Sequence, residues 1–125
     1  MKTVKLSPLS SPDRAVTVRY CNTFFSRLRG LMFTQELPGD GGILLADRGE
    51  SRANAAIHMF FMNYDITVLW LDKDRVIVDK ALAKRWRPFY MPQQPAQYVV
   101  ELHRDRYDDY AIGEELVWEL VAGSL

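Results

Sequence analysis

The sequence predicts a mainly β chain: a small antiparallel barrel or sandwich with one or two short covering helices. Three observations carry this. Short apolar segments recur between polar turns along all 125 residues. Several alternate with the period of two that marks a half-buried strand, as in "AVTVRYC" at 15–21 and "ELVWELV" at 115–121. Hydrophobic residues make up 48% of the chain and charged residues 26%, enough apolar material for one core without disulfide or metal staples. Many short strands of this kind hide their edges by closing or stacking.

The elements follow in order. Residues 1–13 hold Pro8 and Pro12 and are expected to be a flexible N-terminal lead-in, with a single β-rich domain over 14–125. In 15–21, Val16, Val18 and Tyr20 face one way. A short helix is expected at 22–31, because Phe24, Phe25, Leu28, Leu31 and Met32 fall on one stripe while Arg27 and Arg29 lie off it. "ILLA" at 43–46 reads as a buried strand and "DRGESRANA" as a polar connection. Residues 55–60 read as a strand containing His58. "DITVLWLD" is apolar on both faces, as a central strand is, and "DKDR" turns it into "VIVDKALA". Residues 84–97 carry three prolines and no periodicity, and read as a long loop. "YVVEL" is a strand, "HRDRYDDY" a helical turn, Gly113 a corner, and 115–121 the last strand, with Leu116, Trp118 and Leu120 inward.

Composition limits function. Lys plus Arg equals Asp plus Glu at 16 each, which argues against wholesale polyanion binding. The single Cys21 suits a reducing compartment, and the N-terminus shows no leader-like apolar run, so a cytoplasmic protein with no membrane association is expected.

Candidate chemistry centres on few residues. His58 with Asp65 has the composition of a base oriented by a carboxylate, but no nucleophile motif accompanies it. His58, His103, Cys21, Asp65, Asp79 and Glu101 are the metal-ligand types present, and none stands at a ligand-pair spacing. Glu101 and His103 share one side of their strand. His58, Asp65 and Glu101 are therefore read as structural residues or weak site candidates, with His58 held among Met59, Phe60 and Phe61. "LPGDGG" lacks the Lys-Ser/Thr of a phosphate loop. No catalytic group, metal or cofactor is expected.

The sequence features occur in the order "RLRGLM" at 27–32, "LPGDGGILL" at 37–45, "IHMFFM" at 57–62, "VLWLDKDRVI" at 68–77, "WRP" at 86–88, "YVVEL" at 98–102 and "IGEEL" at 112–116. This series resembles domain-of-unknown-function family 192, an uncharacterised bacterial and archaeal group. The resemblance implies a β-rich domain with a short helix and implies no activity. After "FFM" the family tends to have a basic residue, an aromatic and Pro-Ile-Asp. Here the run is Asn63, Tyr64, Asp65, Ile66, Thr67, so a role for an aspartate at position 67 does not transfer.

The first functional expectation is a non-catalytic binding or accessory module with a groove at one barrel end, formed by Arg27, Arg29, Trp86, Arg87 and Tyr90. Aromatic residues and Arg in a proline-stiffened loop are the types enriched at binding hot spots. Its partner would be a protein or small ligand. The alternatives are a hydrolase-like or metal-assisted enzyme around His58, Asp65 and Glu101, and single-stranded nucleic-acid binding through the 84–97 loop. Neutral charge counts against nucleic acid. The sequence is silent on oligomeric state.

Overall fold

The computed structural model describes residues 2–22 and 39–121. It is one curled sheet of seven strands: β1 (Thr3–Pro8), β2 (Val16–Cys21), β3 (Gly42–Ser51), β4 (Ile66–Leu71), β5 (Ile77–Ala83), β6 (Ala96–His103) and β7 (Leu116–Leu120). A 3-10 turn of helix spans Arg104–Asp109. The spatial order is β5-β4-β6-β3-β2-β1-β7. All ladders are antiparallel except β2–β3, which is parallel. A parallel pair needs a crossover connection, and residues 22–41 supply its length. The helix expected at 22–31, with Arg27 and Arg29, lies outside the described residues.

The expected lead-in over 1–13 is corrected. Residues 3–8 form a strand held on both sides, by β2 (Val4↔Val18) and by β7 (Leu6↔Trp118). Val4 and Leu6 are buried and Lys5 is exposed, the alternation a strand requires. Pro8 closes the strand at its end, where a missing N–H is tolerated. The connection expected at 47–55 is also shorter, because β3 runs on to Ser51 past a register shift after Ala46.

The sheet curls until its edges meet. Val76 and Glu115 form a bridge between the approaches to β5 and β7. Ile77 N–H donates to the Glu114 carbonyl at 2.9 Å, Gly113 N–H to the Ile77 carbonyl at 2.8 Å, and Leu116 N–H to the Arg75 carbonyl at 2.9 Å. Gly113 sits at φ 98, in the left-handed region that glycine enters without steric cost.

Each face of the sheet has its own core. The enclosed face is filled by residues from every strand, among them Leu6, Val18, Leu44, Leu69, Ile77, Val100 and Leu116. The outer face carries Ile43, Val68, Trp70 and Val99, and is covered by segments outside the sheet that contribute Ile57, Met59, Met62, Tyr64 and Tyr90. β4 is buried at every position. That is why "ITVLWL" is apolar on both faces, as in any strand covered on two sides.

The DKDR turn behaves as expected. Asp72 Oδ1 accepts from the Asp74 and Val76 N–H groups at 2.9 and 3.0 Å, and Arg75 N–H donates to the Asp72 carbonyl at 3.0 Å. An aspartate that bonds its own following backbone is a turn former.

Candidate binding platform on the outer face

Residues 55–60 form no strand, contrary to expectation. Only Ile57 pairs, in an isolated bridge with Tyr90. The run "AIHMFFM" is apolar because it covers the outer core, and it does so as irregular chain stapled to the 84–97 loop. Ile57 and Tyr90 exchange N–H to carbonyl bonds at 2.9 Å. Met59 N–H donates to the Arg87 carbonyl at 3.0 Å, and Trp86 N–H to the Met59 carbonyl at 2.9 Å. Asp65 Oδ1 accepts from Arg85 N–H at 2.8 Å, while Lys84 Nζ lies 3.7 Å from its other oxygen. The Tyr90 hydroxyl accepts from Lys84 N–H at 2.7 Å. Beneath, the Trp70 indole N–H donates to the Ala55 carbonyl at 2.7 Å. Two loops thus become one platform with satisfied backbone groups.

The platform presents aromatic rings outward. Phe61 is 44% exposed, Trp86 50% and Phe89 56%. The rings of Phe61 and Trp86 meet edge to face, with centroids 5.4 Å apart, a geometry favoured by the aromatic quadrupole. Both residues have left-handed backbone, φ 62 and φ 64. Bulky side chains seldom adopt that region, and strain of this kind gathers at functional sites. Lys84, Arg85 and Arg87 are exposed around them. Arg87 leans toward the Tyr90 ring, its guanidinium carbon 6.0 Å from the centroid.

The residues singled out from the sequence separate here. Trp86, Arg87 and Tyr90 come together on the platform. Tyr90 is half-buried and packs against the outer core, so it anchors the platform. Phe61 had been grouped with the residues around His58. Its exposure left no signal in the sequence: Phe60 and Phe61 both lie in a turn and both are exposed, Phe61 with a left-handed backbone.

His58, Asp65 and Glu101 hold separate places. His58 is half-buried; Phe60 beside it is exposed and tilts across the imidazole at 5.5 Å between centroids. His58 Nδ1 accepts from Phe60 N–H at 3.2 Å, which makes it a local turn acceptor. Asp65 is engaged by Arg85 and Lys84. Glu101 lies within β6, paired with Ile43 and Val68, and Arg19 is in the same cross-strand row through Ile43. Burial pushes the Glu101 carboxyl up to about 7, with the Arg19 charge pulling the other way. His103 caps the 3-10 turn, its Nδ1 accepting from Asp105 N–H at 3.1 Å. Among the described residues, no group of three or more His, Cys, Asp or Glu side chains is placed to hold a metal ion. Nor is any helix there long and apolar enough to cross a membrane.

A curled, two-cored β sheet with a stapled loop platform defines the class as a small β-rich half-barrel. The chain belongs to domain-of-unknown-function family 192, described as uncharacterised ACR proteins, whose model matches residues 7–118. It is 45% identical over 84 residues to a UPF0127 protein of Thermococcus kodakarensis, covering 67% of this chain and 52% of the relative. It is 40% identical over 105 residues to one of Thermococcus sibiricus, covering 82% and 66%. A UPF0127 protein of Pyrococcus furiosus is 35% identical over 105 residues, with 82% of this chain and 87% of the relative covered. The chain thus spans about half to two thirds of the length of the two Thermococcus relatives. Two crystal structures share the fold. One is of a candidate transcription regulator from Sinorhizobium meliloti, with TM-score 0.78, 20% identity, and 94% and 92% of the two chains covered. The other is of a protein of unknown function from Novosphingobium aromaticivorans, with TM-score 0.74, 17% identity, and 93% and 84% covered.

Proposed function

We propose that this domain is a non-catalytic binding module that docks a partner protein on the Phe61–Trp86 platform. The contact between two strained, half-exposed aromatic rings carries the reading. Their backbone stapling lowers the entropy lost on binding. The basic rim of Lys84, Arg85 and Arg87 selects a partner whose contact surface is apolar at its centre and acidic at its edge. The nearby Asp65 carboxylate is already engaged by Arg85 N–H and Lys84, so it offsets only part of that rim. Aromatic and Arg side chains in this arrangement are typical interface anchors. An enzyme built on His58, Asp65 and Glu101 has less support, because the contacts of each lead to different neighbours.

The test is a photo-crosslinker at position 89 in cells, with the double substitution Trp86→Ala, Arg87→Ala as control. One protein should be captured by the parent and lost in the double variant. Purified, it should bind more weakly as salt rises, while the melting temperature of the variant stays within a few degrees. Capture that survives the double substitution overturns the reading. So does preferential binding of single-stranded DNA or of anionic lipid vesicles over the captured protein.

A further inference from the structure

Away from the platform, Arg75 is the fourth of the five residues between β4 and β5 and closes the Asp72 turn, at φ 66. A type I turn followed by one left-handed residue is a standard hairpin closure, and glycine is the default there. An arginine is strained there. Its side chain has a defined place. The guanidinium carbon lies 3.8 Å from the Trp118 ring centroid and 5.9 Å from that of Tyr98. Tyr98 and Trp118 meet edge to face at 5.0 Å. Tyr20 packs against the same core; burial, and then the Tyr98 phenol, push its own phenol above the ordinary tyrosine range, with the Arg75 charge pulling the other way. All three aromatics border the enclosed core and are half-buried.

We infer that Arg75, Trp118, Tyr98 and Tyr20 form a binding site for an oxyanion, the carboxylate or phosphate group of a small ligand. Stacking on an indole covers the face of a guanidinium and leaves its in-plane N–H fork directed outward. That fork matches carboxylate and phosphate oxygens. Among the described residues, no hydrogen bond or ion pair engages the Arg75 guanidinium or the Tyr20 hydroxyl. The Tyr98 hydroxyl accepts a 3.4 Å bond from Gln97 Nε2 and keeps its own proton to donate. A cation held on an indole, with the phenols of Tyr98 and Tyr20 packed against the same core, offers an oxyanion a charge and further hydrogen-bond donors on an aromatic shelf. A plain solvated brace would need neither an arginine in a glycine conformation nor the phenols.

The probes are sodium phosphate and sodium benzoate at ionic strength matched with chloride, read by the NMR shift of the Trp118 indole N–H. Saturable shifts are expected with at least one probe. Affinity should fall at least about 10-fold, roughly 1.4 kcal/mol, in Arg75→Gln. Arg75→Gly guards against misfolding, because glycine suits this turn, and should lose binding while retaining the melting transition. Saturation by benzoate alone identifies a carboxylate ligand, and by phosphate alone a phosphorylated one. No saturation with either probe, or equal affinity in both variants, overturns the site. A lowered melting temperature in Arg75→Gly without any oxyanion response in the parent also overturns it and leaves Arg75 a structural brace.

Discussion

The indole N–H of Trp70, buried in β4, donates to the carbonyl oxygen of Ala55 at 2.7 Å. This bond fixes the level at which the 55–65 segment lies over the sheet. Trp70→Phe keeps most of the apolar volume and leaves the carbonyl without its donor. An unsatisfied buried acceptor costs about 1–3 kcal/mol. Urea denaturation should show that loss, with the near-ultraviolet signal of Trp86 altered at the same time. Unchanged stability would mean that water replaces the indole at no cost.

Gly42→Ala should destabilise the fold by at least about 1–3 kcal/mol, the range for forcing volume into packed structure. A methyl group there would strike the Glu101 backbone carbonyl and approach the Leu102 side chain to 2.7 Å. A backbone atom within a ladder has little room to give. Gly49→Ala is the control, since nothing lies within 4 Å of its added carbon, and it should leave the melting temperature nearly unchanged.

Glu101 gives the protein a pH-dependent stability. Burial raises its carboxyl from an ordinary 4.5 to about 7 in the folded state. The folded protein therefore holds a proton that the unfolded chain releases. The stabilising contribution is full below about pH 4.5 and is lost as pH rises to about 7, a change on the order of 3 kcal/mol. Glu101→Gln should remove this slope. Stabilities of parent and variant should be closest near pH 4.5, with the variant ahead at pH 8. Parallel pH profiles would refute the assignment.

Phe61→Ala and Trp86→Ala should be non-additive. Their edge-to-face contact is worth about 0.5–1.5 kcal/mol beyond area burial, so a double-mutant cycle on thermal stability should return a coupling in that range. Additive effects would mean that the rings meet without mutual stabilisation.

The sheet was legible because alternation and turn chemistry act locally. β2, β4, β5, β6 and β7, the Asp72 turn and the Gly113 corner follow from neighbouring residues alone. β1 was hidden because Val4 and Leu6 are too few to stand out beside Pro8 and Pro12, and only pairing with β2 and β7 reveals them. The parallel β2–β3 pair is a long-range choice that a period of two does not encode. At the platform, the 84–97 loop stood out by length and composition. Its stapling to 57–59 did not, since main-chain bonds between irregular segments leave no side-chain pattern. Phe61 and Arg75 were hidden for a related reason: a left-handed backbone is set by tertiary context.

The ladder between β1 and β7 joins Val4 to Leu120, nearly the whole sequence apart. Such a contact closes the longest loop in the fold, and loop closure must precede its reward. On a ribosome, β2 could pair with β1 early, but the far edge of β1 would wait for the final strand. Until β7 arrives, Leu6 and Val4 stand over an open inner core beside an unpaired strand edge, the kind of surface that chaperones and aggregation compete for. Completion of the sheet is therefore a late, high-contact-order event, and refolding belongs on the slow side for a domain of this size.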